Sequence, residues 1–226
     1  MTKPRSPARG PAAQSSRRAS LFDELVQEYD SWYGRHALVH ESELAAVRAL
    51  ALNGFGLEIG VGSGRFACPM QVEVGLDPSL QMLRLAKRRK ISAIRGRAEE
   101  LPFKDGAFDY ALMIEALSFV TEPAAAIQEA HRVLRDGGSM VVCEVPRNSR
   151  WGSVIQEKRM IGHRFYALMR PFSVREIQVL LMHAGFEMVE AQGTLSCGPR
   201  GRERFERPTN ELSGKSFVCL RAECVK

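Results

Sequence analysis

From residue 55 onward, short apolar runs alternate with amphipathic stretches. The runs lie at 55–60, 72–77, 93–95, 110–116 and 140–145. Between them, residues 79–90 place Leu80, Leu83 and Ala86 on one side, and residues 123–134 do the same with Ile127, Ala130 and Leu134. Runs with no polar alternation are the mark of strands covered on both faces. Apolar positions three and four apart mark helices with one buried stripe. Strand–helix alternation predicts a parallel sheet built from right-handed crossovers.

Two helices are expected before this alternation. Ser20 and Asp23 have capping-box spacing. Leu21, Phe22, Leu25, Val26, Tyr29, Trp32 and Tyr33 then recur at helical intervals. A second helix over 41–52 carries Leu44, Val47 and Leu50 on one face and stops at Asn53-Gly54. After the fifth run the alternation lapses over 148–170, a polar stretch with Trp151, His163, Phe165 and Tyr166. Ser173 caps a helix to about Ala184, and 188–191 and 216–222 predict a final strand pair around a long loop, 198–214. The expected architecture is one α/β domain: a Rossmann-like, doubly wound, seven-stranded sheet, mostly parallel with the last strand antiparallel. Its parts are a disordered basic tail (1–19) and the main domain (20–226), which includes N-terminal lid helices (20–54) and an insert on the acceptor side (148–172).

Charge changes this picture little. The chain has 226 residues, 32 Lys plus Arg and 26 Asp plus Glu. Lys3, Arg5, Arg9, Arg17 and Arg18 lie in the first 20 residues, which hold no acid, so the remainder carries 27 basic and 26 acidic residues. A nearly neutral body argues against a nucleic-acid partner. Prolines 4, 7 and 11 and the lack of large apolar residues argue against an amphipathic helix in the tail. The basic run from Arg84 to Arg97 contains no aromatic residue and reads as a solvated helix face, with an RNA-backbone contact as the alternative. No apolar run approaches the ~18 residues that span a bilayer, so no membrane role is expected. The five cysteines form no CxxC pair and are expected to be reduced thiols in a cytoplasmic protein, with no metal site.

The chemistry concentrates in Leu57-Glu58-Ile59-Gly60-Val61-Gly62-Ser63-Gly64. A strand runs into three glycines at alternate positions, where the backbone turns sharply and a ligand can lie close against it. The spacing is GxGxG, where dinucleotide folds show GxGxxG, so a nicotinamide dehydrogenase is disfavoured. Asp77 ends the next strand, 17 residues after Gly60. A carboxylate there can accept both hydroxyls of a ribose; its alternative role is capping the helix that follows.

These segments resemble the class I S-adenosylmethionine (SAM)-dependent methyltransferases, of the small-molecule kind found in ubiquinone and menaquinone biosynthesis. The matching text is LEIGVGSGRF, GLDPSLQMLRLA, GRAEELPFKDGAFDYALMIEALSFV and AAIQEAHRVLRDGGSMVV, with YDSWY upstream as a lid sequence. One departure is Asp136, where the family usually has proline. The resemblance implies SAM as cofactor. Gly60, Gly62 and Gly64 would lie beneath its methionine part, with Glu58 ordering the loop. Asp77 would hold the ribose, Pro78 and Met82 would pack beside ribose and adenine, and Ala98 and Glu99 would meet the adenine. Glu115 would sit at the amino-acid end, and Tyr29 and Tyr33 would close over the cofactor.

The implied reaction is methyl transfer to a small-molecule acceptor by in-line displacement, which mainly needs orientation and exclusion of water. Methylation of RNA or protein, or SAM binding without catalysis, are the alternatives. No catalytic base stands out. His36, His163 and Tyr166 lie in the segments that would flank the acceptor and are the candidates, each with a packing role as its alternative. Glu144 would face the acceptor, cap a turn, or pair with Arg147. The aromatic set Trp32, Tyr33, Trp151, Phe165, Tyr166 and Phe172 would line an acceptor pocket or pack the lid.

Overall fold

A computed structural model describes residues 11–226, with side chains from Arg18 onward. Seven strands form one sheet: β1 (Gly56–Ile59), β2 (Val74–Asp77), β3 (Ser92–Arg95), β4 (Phe108–Ile114), β5 (Leu134–Glu144), β6 (Phe186–Thr194) and β7 (Phe217–Cys224). Their order is β3-β2-β1-β4-β5-β7-β6. All neighbours pair in parallel except β7, which is antiparallel to both β5 and β6. This is the sheet the alternation predicts.

Side chains of β4 show why the strand reads as one apolar run. Ala111 and Met113 point into one core layer, and Tyr110, Leu112 and Ile114 into the other. Alternate residues face opposite sides of a strand, so a sheet covered twice needs apolar residues at every position. The first layer is closed by α5 (Pro123–Val133) and α7 (Val174–His183) through Ala126, Ile127, Ala130, Ile177 and Leu181. The second is closed by α2 (Ala37–Arg48) and α4 (Leu80–Arg88) through Leu44, Val47, Leu83 and Ala86. Ser173 and Glu176 form the full capping box of α7.

Several boundaries depart from the sequence reading. Helix α1 runs Pro11–Arg35, so it starts nine residues before Ser20. Pro11 occupies its first turn, where a missing N–H costs nothing; Pro4 and Pro7 lie outside the described residues. Residues 11–19, expected to belong to a disordered tail, are therefore helical. Asp23 does not box with Ser20. It accepts hydrogen bonds from Ser79 Oγ (2.6 Å) and the Gln81 N–H (3.0 Å), at the start of α4. The stretch after β5 is not irregular throughout: Ser149 caps α6 (Arg150–Met160) by accepting the Gly152 N–H. Helix α6 buries only Gly152 and Ile155, which explains its weak apolar stripe. A short α3 (Ala67–Met70) follows the glycine turn.

The cysteine expectation needs correction for one pair. Cys143 on β5 and Cys219 on β7 are register partners, 4.0 Å apart at Cα, and are joined by a disulfide. They are 76 residues apart in the chain, and only the antiparallel docking of β7 brings them together. Cys68, Cys197 and Cys224 are free. Among the described residues, no helix is long and apolar enough to cross a membrane.

Candidate active site

The carboxyl ends of β1, β2 and β4 open into a cavity of about 460 Å³. In an open α/β sheet, ligands bind at this edge, where the strand order reverses between β1 and β4. Gly60 and Gly62 form its floor. Gly60 has φ +79°, and a Cβ there would come within 2.5 Å of the Ala116 Cβ. The turn can therefore pass beside the end of β4 only as glycine.

Asp77 is the hub of the site. It is 8% exposed. Its Oδ2 accepts the Gly62 N–H at 3.0 Å and its Oδ1 accepts the Ser79 N–H at 2.8 Å. The carboxylate thus ties the glycine turn to the start of α4 and still faces the cavity. Ser79 is the cap of α4, accepting the Met82 N–H, so the capping alternative for Asp77 holds only in part. Burial pushes Asp77 up to about 6, against the pull of its two N–H donors.

Pro78, Met82, Ala98, Glu99 and Glu115 also line the cavity, as do Tyr29 and Tyr33. Glu99 is committed to structure as well: its Oε1 accepts the Thr121 N–H at 3.1 Å, and Arg97 donates to its Oε2. The Tyr29 and Tyr33 hydroxyls share a 2.9 Å hydrogen bond. The Tyr29 hydroxyl would lie 3.6 Å from a Cβ placed on Gly62, so this ring covers the glycine turn. Glu115 follows β4 with φ +50°, and burial raises its carboxyl to about 7.

Two expected residues stand back from the cavity. Gly64 packs under α4, where a Cβ would meet Ile91 at 2.3 Å; it is a packing glycine. Glu58 is 2% exposed beneath the turn. Its carboxyl is pushed well up by burial, although the Ala67 N–H donates to it. It supports the loop without lining the cavity.

The roof unites α1 with the segments that follow β4 and β5. Phe22 meets Phe119 edge-on at 5.0 Å and Phe165 at 5.5 Å. Trp32 meets Trp151 at 6.4 Å. Phe172 is absent from this roof and sits in the main core. Asp30 fastens α1 to the floor, accepting Arg65 Nη2 at 2.6 Å and Arg89 Nη2 at 3.0 Å. Burial opposes the charge of Asp30, but these guanidinium hydrogen bonds hold its carboxyl down at about 2.

All three candidate bases reach the cavity. His36 lies tilted against Trp32 with ring centroids 4.7 Å apart, and its Nδ1 is paired with Glu203. His163 lies on the exposed rim, its Nδ1 accepting the Phe165 N–H. Burial raises the Tyr166 phenol, with Glu115 and Glu28 adding to the effect. Glu144 does not face the cavity: it is 1% exposed and accepts Ser118 N–H and Oγ–H at 3.1 and 2.6 Å, while Arg147 pairs with Glu176.

Sequence reasoning missed Glu43 of α2, which is 3% exposed and lines the cavity. A signal existed, since Glu43 stands four residues before Val47 and seven before Leu50, on the buried stripe. It also missed Arg18, which donates to Thr121 Oγ1 at 2.9 Å across the cavity mouth.

A buried acid at Asp77, a bare glycine turn beside it and the further carboxyl of Glu115 on the same cavity are a lining that SAM would fit. Residues 57–142 match the family model for a methyltransferase domain. A crystal structure from Thermotoga maritima, described as a SAM-dependent methyltransferase and possible histamine N-methyltransferase, is 36% identical. It covers 91% of this chain and 99% of its own, with a TM-score of 0.87. An uncharacterized protein of Methanocaldococcus jannaschii is 36% identical over 78% of this chain and 85% of its own length. The demethylmenaquinone methyltransferase of Mycolicibacterium gilvum is 30% identical over 63% of this chain and 67% of its own. The chain belongs to the class I SAM-dependent methyltransferases. SAM brings a sulfonium-activated methyl group, which the residues lining the cavity would orient.

Proposed function

We propose that the protein transfers the methyl group of SAM to a small-molecule acceptor bound under the aromatic roof. The observation that carries this reading is the continuity of the cavity. It extends from Asp77 and the glycine turn, past Glu115, to Trp32, Trp151, Phe165 and Tyr166 without leaving the enclosure of α1. Phe22 roofs part of the cavity against Phe119 and Phe165, which suits a small acceptor better than a polymer.

Within this reading Asp77 holds the ribose hydroxyls, and Gly60 and Gly62 lie under the methionine part. Pro78, Met82, Ala98 and Glu99 hold the adenosine, Glu115 takes the amino-acid end, and Tyr29 and Tyr33 close over them. Glu58 and Gly64 act one step back, by holding the turn. The likeness to the Thermotoga maritima protein and to demethylmenaquinone methyltransferases supports acceptors with a flat, partly apolar body. The test is release of S-adenosylhomocysteine from SAM in the presence of fractionated metabolites. Turnover is expected with a small-molecule fraction and not with RNA or protein. Turnover only with RNA or protein contradicts the proposal.

A further inference from the structure

Glu43 is a buried carboxyl on α2. It faces the cavity at 3% exposure. Among the described residues, no hydrogen bond or cation offsets its burial, and its charged neighbour is another acid, Glu115. An enclosed carboxylate is costly unless a countercharge meets it.

Its place in the fold indicates what that countercharge belongs to. The apolar face of α2 packs through Val39, Leu44 and Val47 on the layer of Cys143 in β5 and Phe217 and Cys219 in β7. In the sheet order, Asp77 on β2 lies to one side of β1, Glu115 follows β4 on the other, and α2 covers the strands beyond. Glu43 therefore stands beside Glu115 and Tyr33, at the end of the row far from the ribose position. The amino-acid end of SAM brings one ammonium, which Glu115 can meet. Glu43 is left over.

We infer that the methyl acceptor is an amine that arrives as an ammonium ion, with Glu43 receiving the ammonium and the aromatic roof holding an apolar or aromatic body. This rests on the small-molecule reading above. Burial and Glu115 push the Glu43 carboxyl well up, so it both gains from an arriving cation and can take a proton from it. The ammonium gives one proton to the Glu43 carboxylate. The freed nitrogen lone pair bonds to the methyl carbon as the carbon–sulfur bond breaks, its electron pair passing to sulfur. The products are the methylated ammonium and neutral S-adenosylhomocysteine, and the proton leaves Glu43 to water. Aromatic faces beside the site add cation–π attraction.

The test is calorimetric titration of the protein saturated with S-adenosylhomocysteine. The probes are 2-phenylethylamine and 3-phenylpropionate, which share a shape and differ in charge. The amine is expected to bind at least tenfold tighter. Glu43→Gln is expected to weaken the amine at least tenfold while S-adenosylhomocysteine affinity stays within threefold, which also reports that the variant is folded. Equal binding of the two probes, or a Glu43→Gln effect confined to S-adenosylhomocysteine, overturns the inference. Failure of the unaltered protein to bind S-adenosylhomocysteine at all would instead remove the reading beneath it.

Discussion

Asp23 and Ser79 are 56 residues apart, yet the Ser79 hydroxyl donates to Asp23 at 2.6 Å while accepting the Met82 N–H. One side chain thus caps α4 and fastens α1 across the cavity. With Asp30 gripping Arg65 and Arg89, the roof has two anchors on the cofactor side.

Asp23→Ala should release the first anchor. Hydrogen bonds to a charged group are worth about 1.5–3 kcal/mol, and part of that is recovered from water. We expect S-adenosylhomocysteine affinity to fall about three- to tenfold. Amide hydrogen exchange should rise across residues 20–35 while α7 keeps its protection. Unchanged exchange in α1 would show that the contact does not hold the roof.

Glu144 gives a prediction with a definite sign. Burial, opposed by its Ser118 hydrogen bonds and aided by Glu115, raises it to about 8. A carboxyl raised in the folded state binds its proton more tightly there, so stability is full below the unfolded pKa near 4. It is lost as pH climbs towards 8. Glu144→Gln can keep both contacts, its amide oxygen accepting the Ser118 N–H and its NH2 donating to Ser118 Oγ, and it cannot ionise. It should melt several degrees above the unaltered protein at pH 8.5 and close to it at pH 5. The opposite pH trend refutes the assignment.

The Cys143–Cys219 bridge closes a separation of 76 residues. Loops of that size carry roughly 4 kcal/mol of chain-entropy stabilisation. Alkylation of the denatured, unreduced protein should label three cysteines, Cys68, Cys197 and Cys224, and reductant should lower the melting temperature. Labelling of all five would return the pair to thiols.

The sheet and the glycine turn at the cavity floor were legible because both depend on local rules. Continuous apolar runs predict doubly covered strands, and alternate glycines after β1 with an acid at the end of β2 predict a bare turn beside that acid. What escaped depends on contacts between distant segments. Pro11 permits a helix start that proline content argued against. Asp23 spends its carboxylate on Ser79 rather than on its own helix. Cys143 meets Cys219 only through the β5–β7 register. Helix α6 buries too little to show a stripe, and Glu43 hides on an apolar stripe where a single acid looks like an exception. Glu58 and Gly64 carry the right motif but act from behind the turn, a distinction visible only once Ile91 and Ala67 are in place.

The most direct test of the account is titration of the purified protein with S-adenosylhomocysteine, compared with Asp77→Ala. The Asp77 carboxylate faces the cavity from between Gly62 and Ser79. Two charge-assisted hydrogen bonds to a ribose, at about 1.5–3 kcal/mol each, predict a loss of at least tenfold in affinity, with cooperative melting retained. Saturable binding by the unaltered protein and that loss in the variant are the predicted results. Equal affinity in a folded Asp77→Ala protein would contradict the placement of the cofactor at the glycine turn.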